Sequence, residues 1–172
     1  MTIEDDVERL YVGEKGLAMQ PGWHYSNAHE DRWELSVPLE IDYVTEEGFY
    51  LESQCVRSLP DANVSTSLIY KPAGGLHGPI CRLDWLPTAP HSNQGRINGS
   101  WQWKKMSGTH LHGYELNKHL GWAKMAKDNL PIALPVDDPL TGFRDMLTYV
   151  GKIWKIRDIQ RIPEPEWMAR LT

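Results

Sequence analysis

The chain has 172 residues, 41% hydrophobic and 24% charged, with a formal net charge of -5 and 2 cysteines. That composition fits one ordinary soluble domain over residues 1–172, able to bury a core without disulfide or metal staples, and excludes collagen-like, disordered and disulfide-rich chains. Its longest apolar runs, such as Leu130 to Val136, are broken by proline and fall short of the roughly 20 residues a spanning helix needs. The start Met1-Thr2-Ile3-Glu4-Asp5-Asp6 is acidic where a signal peptide is basic and then apolar, so Cys55 and Cys81 read as reduced thiols of a cytoplasmic protein.

Thr2 and Asp5 have capping-box spacing, and Ile3, Val7 and Leu10 recur at helical spacing, which predicts a short first helix. Trp33, Leu35, Val37, Leu39 and Ile41 then alternate with polar residues, the period of a strand with one wet face. Pro38 lacks a backbone donor and requires an edge position or a bulge. Glu46-Glu47-Gly48 reads as a turn before a strand from Phe49 to about Arg57. Leu59 to Asn63 is another turn, Val64 to Tyr70 a strand ended by Pro72 to Gly75, and Ile80 to Leu86 a further strand. Asn98-Gly99 and Ser107-Gly108 then suggest a three-stranded meander. In that register Trp101 opposes Arg96 and Tyr114, Trp103 opposes His112, and Lys105 opposes Ser92 and His110.

A helix follows from about Asn117 to Asp128 on a stripe of Leu116, Leu120, Ala123 and Lys127, and Leu130 to Val136 reads as an extended connection. Asp138-Pro139 predicts the start of a long amphipathic helix through Leu140, Phe143, Leu147, Val150 and Trp154. Residues 161–172 read as a loose tail. The expected fold is α+β: a mainly antiparallel sheet with a C-terminal meander, packed by that long helix and shorter ones.

Charge is uneven. Residues 1–61 hold 14 of the acids and 4 of the bases, whereas Lys71 to Lys127 holds 8 Lys/Arg against Asp84 and Glu115. An anionic partner would meet the second region.

Thr109-His110-Leu111-His112 places two histidines on one strand face, where they can share acid and base work or ligate a metal. His91 lies in the loop at the mouth of the meander. Arg82 and Asp84 share a strand face, as an ion pair or as an anion clamp and a histidine orienter. With Lys105 or Arg96 to stabilise a pentavalent phosphate and Trp101, Trp103 and Tyr114 to stack bases, the set reads as a metal-independent site that binds and cleaves RNA or a nucleotide. His91, His110, His112 and Lys105 are its candidate catalytic residues, and Arg82, Asp84, Arg96, Trp101, Trp103 and Tyr114 its candidate binding residues, with no cofactor.

Two alternatives stand beside it. The first is a His-ligated metal, which needs a third ligand from His91, His119 or Glu115; a strand H-x-H followed by a carboxylate resembles the first motif of cupins, which hold a metal inside a β-barrel. Glu115 comes too soon after His112 for that motif, and its upstream glycine is absent. The other alternative is non-enzymatic: Glu4, Asp5, Asp6, Glu8, Glu46 and Glu47 form an acidic surface for a protein partner, as in an inhibitor or immunity protein. The combination R-x-D-W, P-H-x-N and T-H-x-H, over about residues 80–115, resembles small uncharacterised proteins of bacteria and their mobile elements, a resemblance that implies no established activity.

Overall fold

A computed structural model describes residues 2–93 and 102–168. Helix α1 (Ile3–Val12) starts as its sequence requires: the Thr2 hydroxyl accepts from the Asp5 backbone while the Asp5 carboxylate accepts from the Thr2 backbone. Glu4, Asp5 and Asp6 sit at the positive end of the helix dipole, and Val7 and Leu10 turn inward.

Among the described residues eight strands form one sheet. β1 (Lys15–Leu17) and β2 (His24–Tyr25) share one edge of β3 (Arg32–Ile41), and the order continues through β4 (Val44–Val56), β5 (Val64–Tyr70), β6 (Gly78–Trp85), β9 (His110–His112) and β10 (Leu134–Pro135). Every pairing within it is antiparallel. Alternation separates the two faces. Trp33, Leu35, Val37, Leu51, Leu68, Leu83 and Trp85 enter the apolar core on one side, and polar side chains line the other.

The β3–β4 hairpin turns earlier than its sequence suggests. Asp42 and Tyr43, at φ 51° and 63°, make the turn, and Glu46-Glu47-Gly48 lies inside β4. Those residues take up the register shift between Pro38 and Glu40, with Gly48 at φ 74° supplying a backbone a side chain would resist. The expected bulge is therefore present, and the expected turn is its other half.

Among the described residues the expected meander is not continuous. A separate two-stranded ribbon pairs β7 (His91–Ser92) with β8 (Lys105–Met106), and Ser92 does oppose Lys105. β8 and β9 do not pair, because β9 runs between β6 and β10. That position sets Leu111 opposite Leu83 on the core side and brings the flanking histidines to the polar side. The Asn98-Gly99 turn, Arg96 and Trp101 lie outside the described residues.

The helix expected at Asn117 to Asp128 is divided. α2 (Tyr114–Asn117) runs into one 3-10 turn, Gly121 at φ 78° breaks the axis, and α3 (Trp122–Lys127) follows. Tyr114, Asn117, Trp122 and Met125 are the buried positions, not the anticipated stripe. α4 (Phe143–Ile153) has 11 residues, shorter than expected. It begins after Gly142 because the Leu140 carbonyl is taken by the Trp85 indole at 3.2 Å, and Asp145 accepts from the Thr141 backbone at 3.2 Å. Phe143, Met146, Leu147 and Val150 still join the core.

Residues 161–168 are docked, against the expectation of a loose tail. Trp23 donates to the Pro163 carbonyl at 2.8 Å, Trp33 to that of Glu166 at 2.9 Å, and the Trp167 ring meets Phe143 edge-on at 5.7 Å. Among the described residues no helix is long and apolar enough to cross a membrane.

One buried cation ties the helix ends together. The Lys15 ammonium, 0% exposed, donates to the carbonyls of Tyr11 at 2.7 Å, Gly13 at 2.6 Å and Trp154 at 3.0 Å. These carbonyls lie at the negative ends of α1 and α4, and burial pushes the ammonium down to about 8. Lys15→Met retains the apolar stem and orphans the carbonyls, so urea unfolding should show a loss of about 3 kcal/mol. A loss below about 1 kcal/mol would mean that other donors satisfy them.

Candidate active site

Strand register builds the site. Across the polar face, Glu34 opposes Gln54, Gln54 opposes Ser65, Ser65 opposes Asp84 and Asp84 opposes His110. The next row runs Ser36, Glu52, Ser67, Arg82 and His112. Directly opposed residues of neighbouring strands lie roughly 5 Å apart, so each row is a continuous polar strip.

Asp84 is the hub. Its Oδ1 accepts from the Ser65 hydroxyl at 2.6 Å. Its Oδ2 accepts from Arg82 Nε at 3.0 Å and lies 3.3 Å from His110 Nε2 and 3.2 Å from His112 Nε2. Burial opposes the charge of this carboxylate, yet the bond from His110, the Arg82 charge and the Ser65 hydroxyl outweigh it and hold it well below the usual range.

Each imidazole is oriented by backbone. His112 Nδ1 donates to the Leu130 carbonyl at 2.5 Å, so its Nε2 accepts, and Arg82 Nη2 supplies the proton at 2.7 Å. Arg82 thus bridges His112 and Asp84. His110 Nδ1 donates to the Gly108 carbonyl at 2.9 Å, and a proton on its Nε2 turns the approach to Asp84 into a charge-assisted bond. His91 Nε2 donates toward the Pro131 carbonyl and Asn93 Oδ1, both at 3.2 Å, leaving its Nδ1 lone pair free of that contact. Asn93 is itself fixed by Ala133, which its amide bonds through both the carbonyl and the backbone N–H.

These groups occupy one end of a cleft of about 670 Å³ on the polar face. His91, His110, Arg82 and Asp84 line it, with Ser65, Ser67, Gln54, Glu52 and Glu34 farther along its floor. His112 is fully buried beneath them.

Five of the ten residues singled out in the sequence are therefore together: His91, His110, His112, Arg82 and Asp84. Lys105 is exposed on β8, Trp103 is 68% exposed in a turn at φ 62°, and the buried Tyr114 ring packs against Tyr11 at 4.6 Å. Their expected places depended on β8 pairing with β9, which does not occur. Ser65 and the Leu130 and Pro131 carbonyls were missed, because only strand pairing and the path of residues 129–133 bring them in. Asn93 stood in the P-H-x-N run with no role attached.

His91, His110 and His112 each offer a nitrogen within 4.8 Å of the others, and one nitrogen of each ring lies against a backbone carbonyl. Neutral histidine ligands are commonly held that way, so these three could hold a divalent transition metal once Arg82 Nη2 leaves His112 Nε2. Glu115 is exposed and paired with Lys118 at 2.7 Å, and His119 is exposed, so the third ligand would be His91. No family model, curated protein or solved structure matches this chain.

Burial, reinforced by the Arg82 charge, pushes His112 down to about 4 although Asp84 pulls upward. Unfolded histidine titrates near 6.5, so the unfolded state binds the extra proton first. Stability from this group is complete above pH 6.5 and is lost as pH falls through 4, by about 3 kcal/mol in all. Melting followed from pH 7 to pH 4 should show that decline, and His112→Gln should flatten it. An equal slope in the variant would assign the acid sensitivity elsewhere.

Proposed function

We propose that this protein binds and cleaves a phosphodiester of RNA or a nucleotide by acid–base chemistry without a metal. The observation that carries the reading is the Asp84 hub, which holds a proton donor and a guanidinium at the end of an open cleft that His91 also lines. His91 Nδ1 removes the 2′-hydroxyl proton, and the 2′-oxygen bonds to phosphorus. The bond from phosphorus to the 5′-oxygen breaks as His110 Nε2 delivers a proton to that oxygen, giving a 2′,3′-cyclic phosphate and a 5′-hydroxyl. Arg82 directs its remaining N–H groups to the non-bridging oxygens, and His112 positions Arg82 from below. The buried free thiols Cys55 and Cys81 suit the reducing cytoplasm we assign to it.

Incubation with ribonucleotide substrates in EDTA, with products identified by mass, tests this. The expected result is cyclic-phosphate ends that appear with EDTA present. A second reading, a metal-dependent site, is favoured by the three carbonyl-oriented imidazoles. Cleavage that stops in EDTA and returns with zinc or manganese would establish it in place of the first.

A further inference from the structure

We infer that the cleft selects a short ribonucleotide with a single phosphodiester, such as a dinucleoside monophosphate, over polymeric RNA. The inference rests on the acid–base reading above and is carried by how charge is distributed along the cleft floor. Among the described lining residues Arg82 is the only Lys or Arg, and it sits at the histidine end. Two strands away along its row stands Glu52, and three strands from Asp84 along the other stands Glu34. At about 4.8 Å per strand these backbones are roughly 10 and 14 Å from the cation and the hub.

A phosphate on Arg82 therefore has one cationic seat. The next phosphate of a polymer laid along the floor meets carboxylates. Glu52 is ion-paired with Lys71 at 2.6 Å and Gln54 accepts from Arg32 at 3.2 Å, so the uncompensated carboxylate is Glu34, held by the neutral Ser26 hydroxyl at 2.6 Å with His24 3.9 Å away. Polymer binding draws its affinity from many Lys and Arg contacts to phosphates, and this floor reverses that sign. Sugar hydroxyls and base amino groups instead find acceptors in Glu34, Glu52, Gln54, Ser65 and Ser67. The cleft volume of about 670 Å³ is within the range of small-molecule sites.

The experiment compares kcat/KM for a mixture of dinucleoside monophosphates with the value per bond of an RNA oligomer about twelve nucleotides long, at low salt. The dinucleotides should be favoured by about tenfold or more. Gln54→Lys and the double variant Glu34→Gln with Glu52→Gln should each narrow that ratio to within about threefold, and high salt should narrow it in the unaltered protein. The same ratio is read in binding with 2′-deoxy analogues, which lack the attacking hydroxyl. An oligomer cleaved or bound as well as the dinucleotides, or a ratio unmoved in both floor variants, overturns the inference and leaves the acid–base reading intact. Selective binding of the short analogues with no cleavage of either ribonucleotide overturns the acid–base reading and leaves the charge selection standing.

Discussion

His110→Gln should lower turnover about a thousandfold while the protein stays folded. The glutamine amide can still donate toward Asp84, so the hub keeps a neutral donor where it had the imidazole 3.3 Å away. What it cannot do is release a proton to a leaving oxygen. The strand register should hold too, because β9 is fixed by its ladder with β6 and by Leu111 against Leu83. Measurement of kcat beside a thermal melt separates the two effects. A variant retaining more than about a tenth of wild-type turnover would remove His110 as the general acid. His112→Gln makes a useful contrast. It contacts no substrate in this scheme, so its loss should act through a displaced Arg82, raising KM more than it lowers kcat.

Arg82→Met should have the largest effect on stability, about 3–5 kcal/mol. The side chains of Arg82 and Asp84 are 14% and 15% exposed, so the pair is mostly withdrawn from water. Removing the guanidinium leaves a buried carboxylate with Ser65 and the histidines, and frees His112 Nε2 and the Asn129 carbonyl, which Arg82 reaches at 3.2 Å. Removing Asp84 as well should restore much of the loss, because a buried charge costs most when its partner alone is deleted. Urea unfolding of Arg82→Met, Asp84→Asn and the double variant gives the coupling directly. Additive losses would show that the two groups are solvated independently. Arg82→Lys should recover charge but not the fork that spans Asp84 and His112, so its activity should remain low.

Local patterns in the chain were sufficient where one element decides the outcome. The Thr2–Asp5 box started α1, the alternation from Trp33 to Ile41 made β3, Pro38 marked a bulge, and the i, i+2 spacing put His110 and His112 on one face. They misled where a neighbour competes for the same backbone. Asp138-Pro139 is a good helix start in isolation, but the Trp85 indole takes the Leu140 carbonyl and the helix begins after Gly142. Glu46-Glu47-Gly48 has turn composition, yet the hairpin closes at Asp42-Tyr43 and the glycine serves the bulge.

The sequence alone therefore determined which chemistry is on hand: a histidine pair on one strand, an Arg and Asp on another, and a third histidine in a loop. Tertiary structure decided which of these meet. The reason is physical: a strand fixes only that its residues alternate, whereas its neighbour is chosen by burying a whole apolar face at once. Leu111 packs in line with Leu83, which seats β9 beside β6, and from that single pairing Asp84 reaches both histidines and Lys105 is left at the surface.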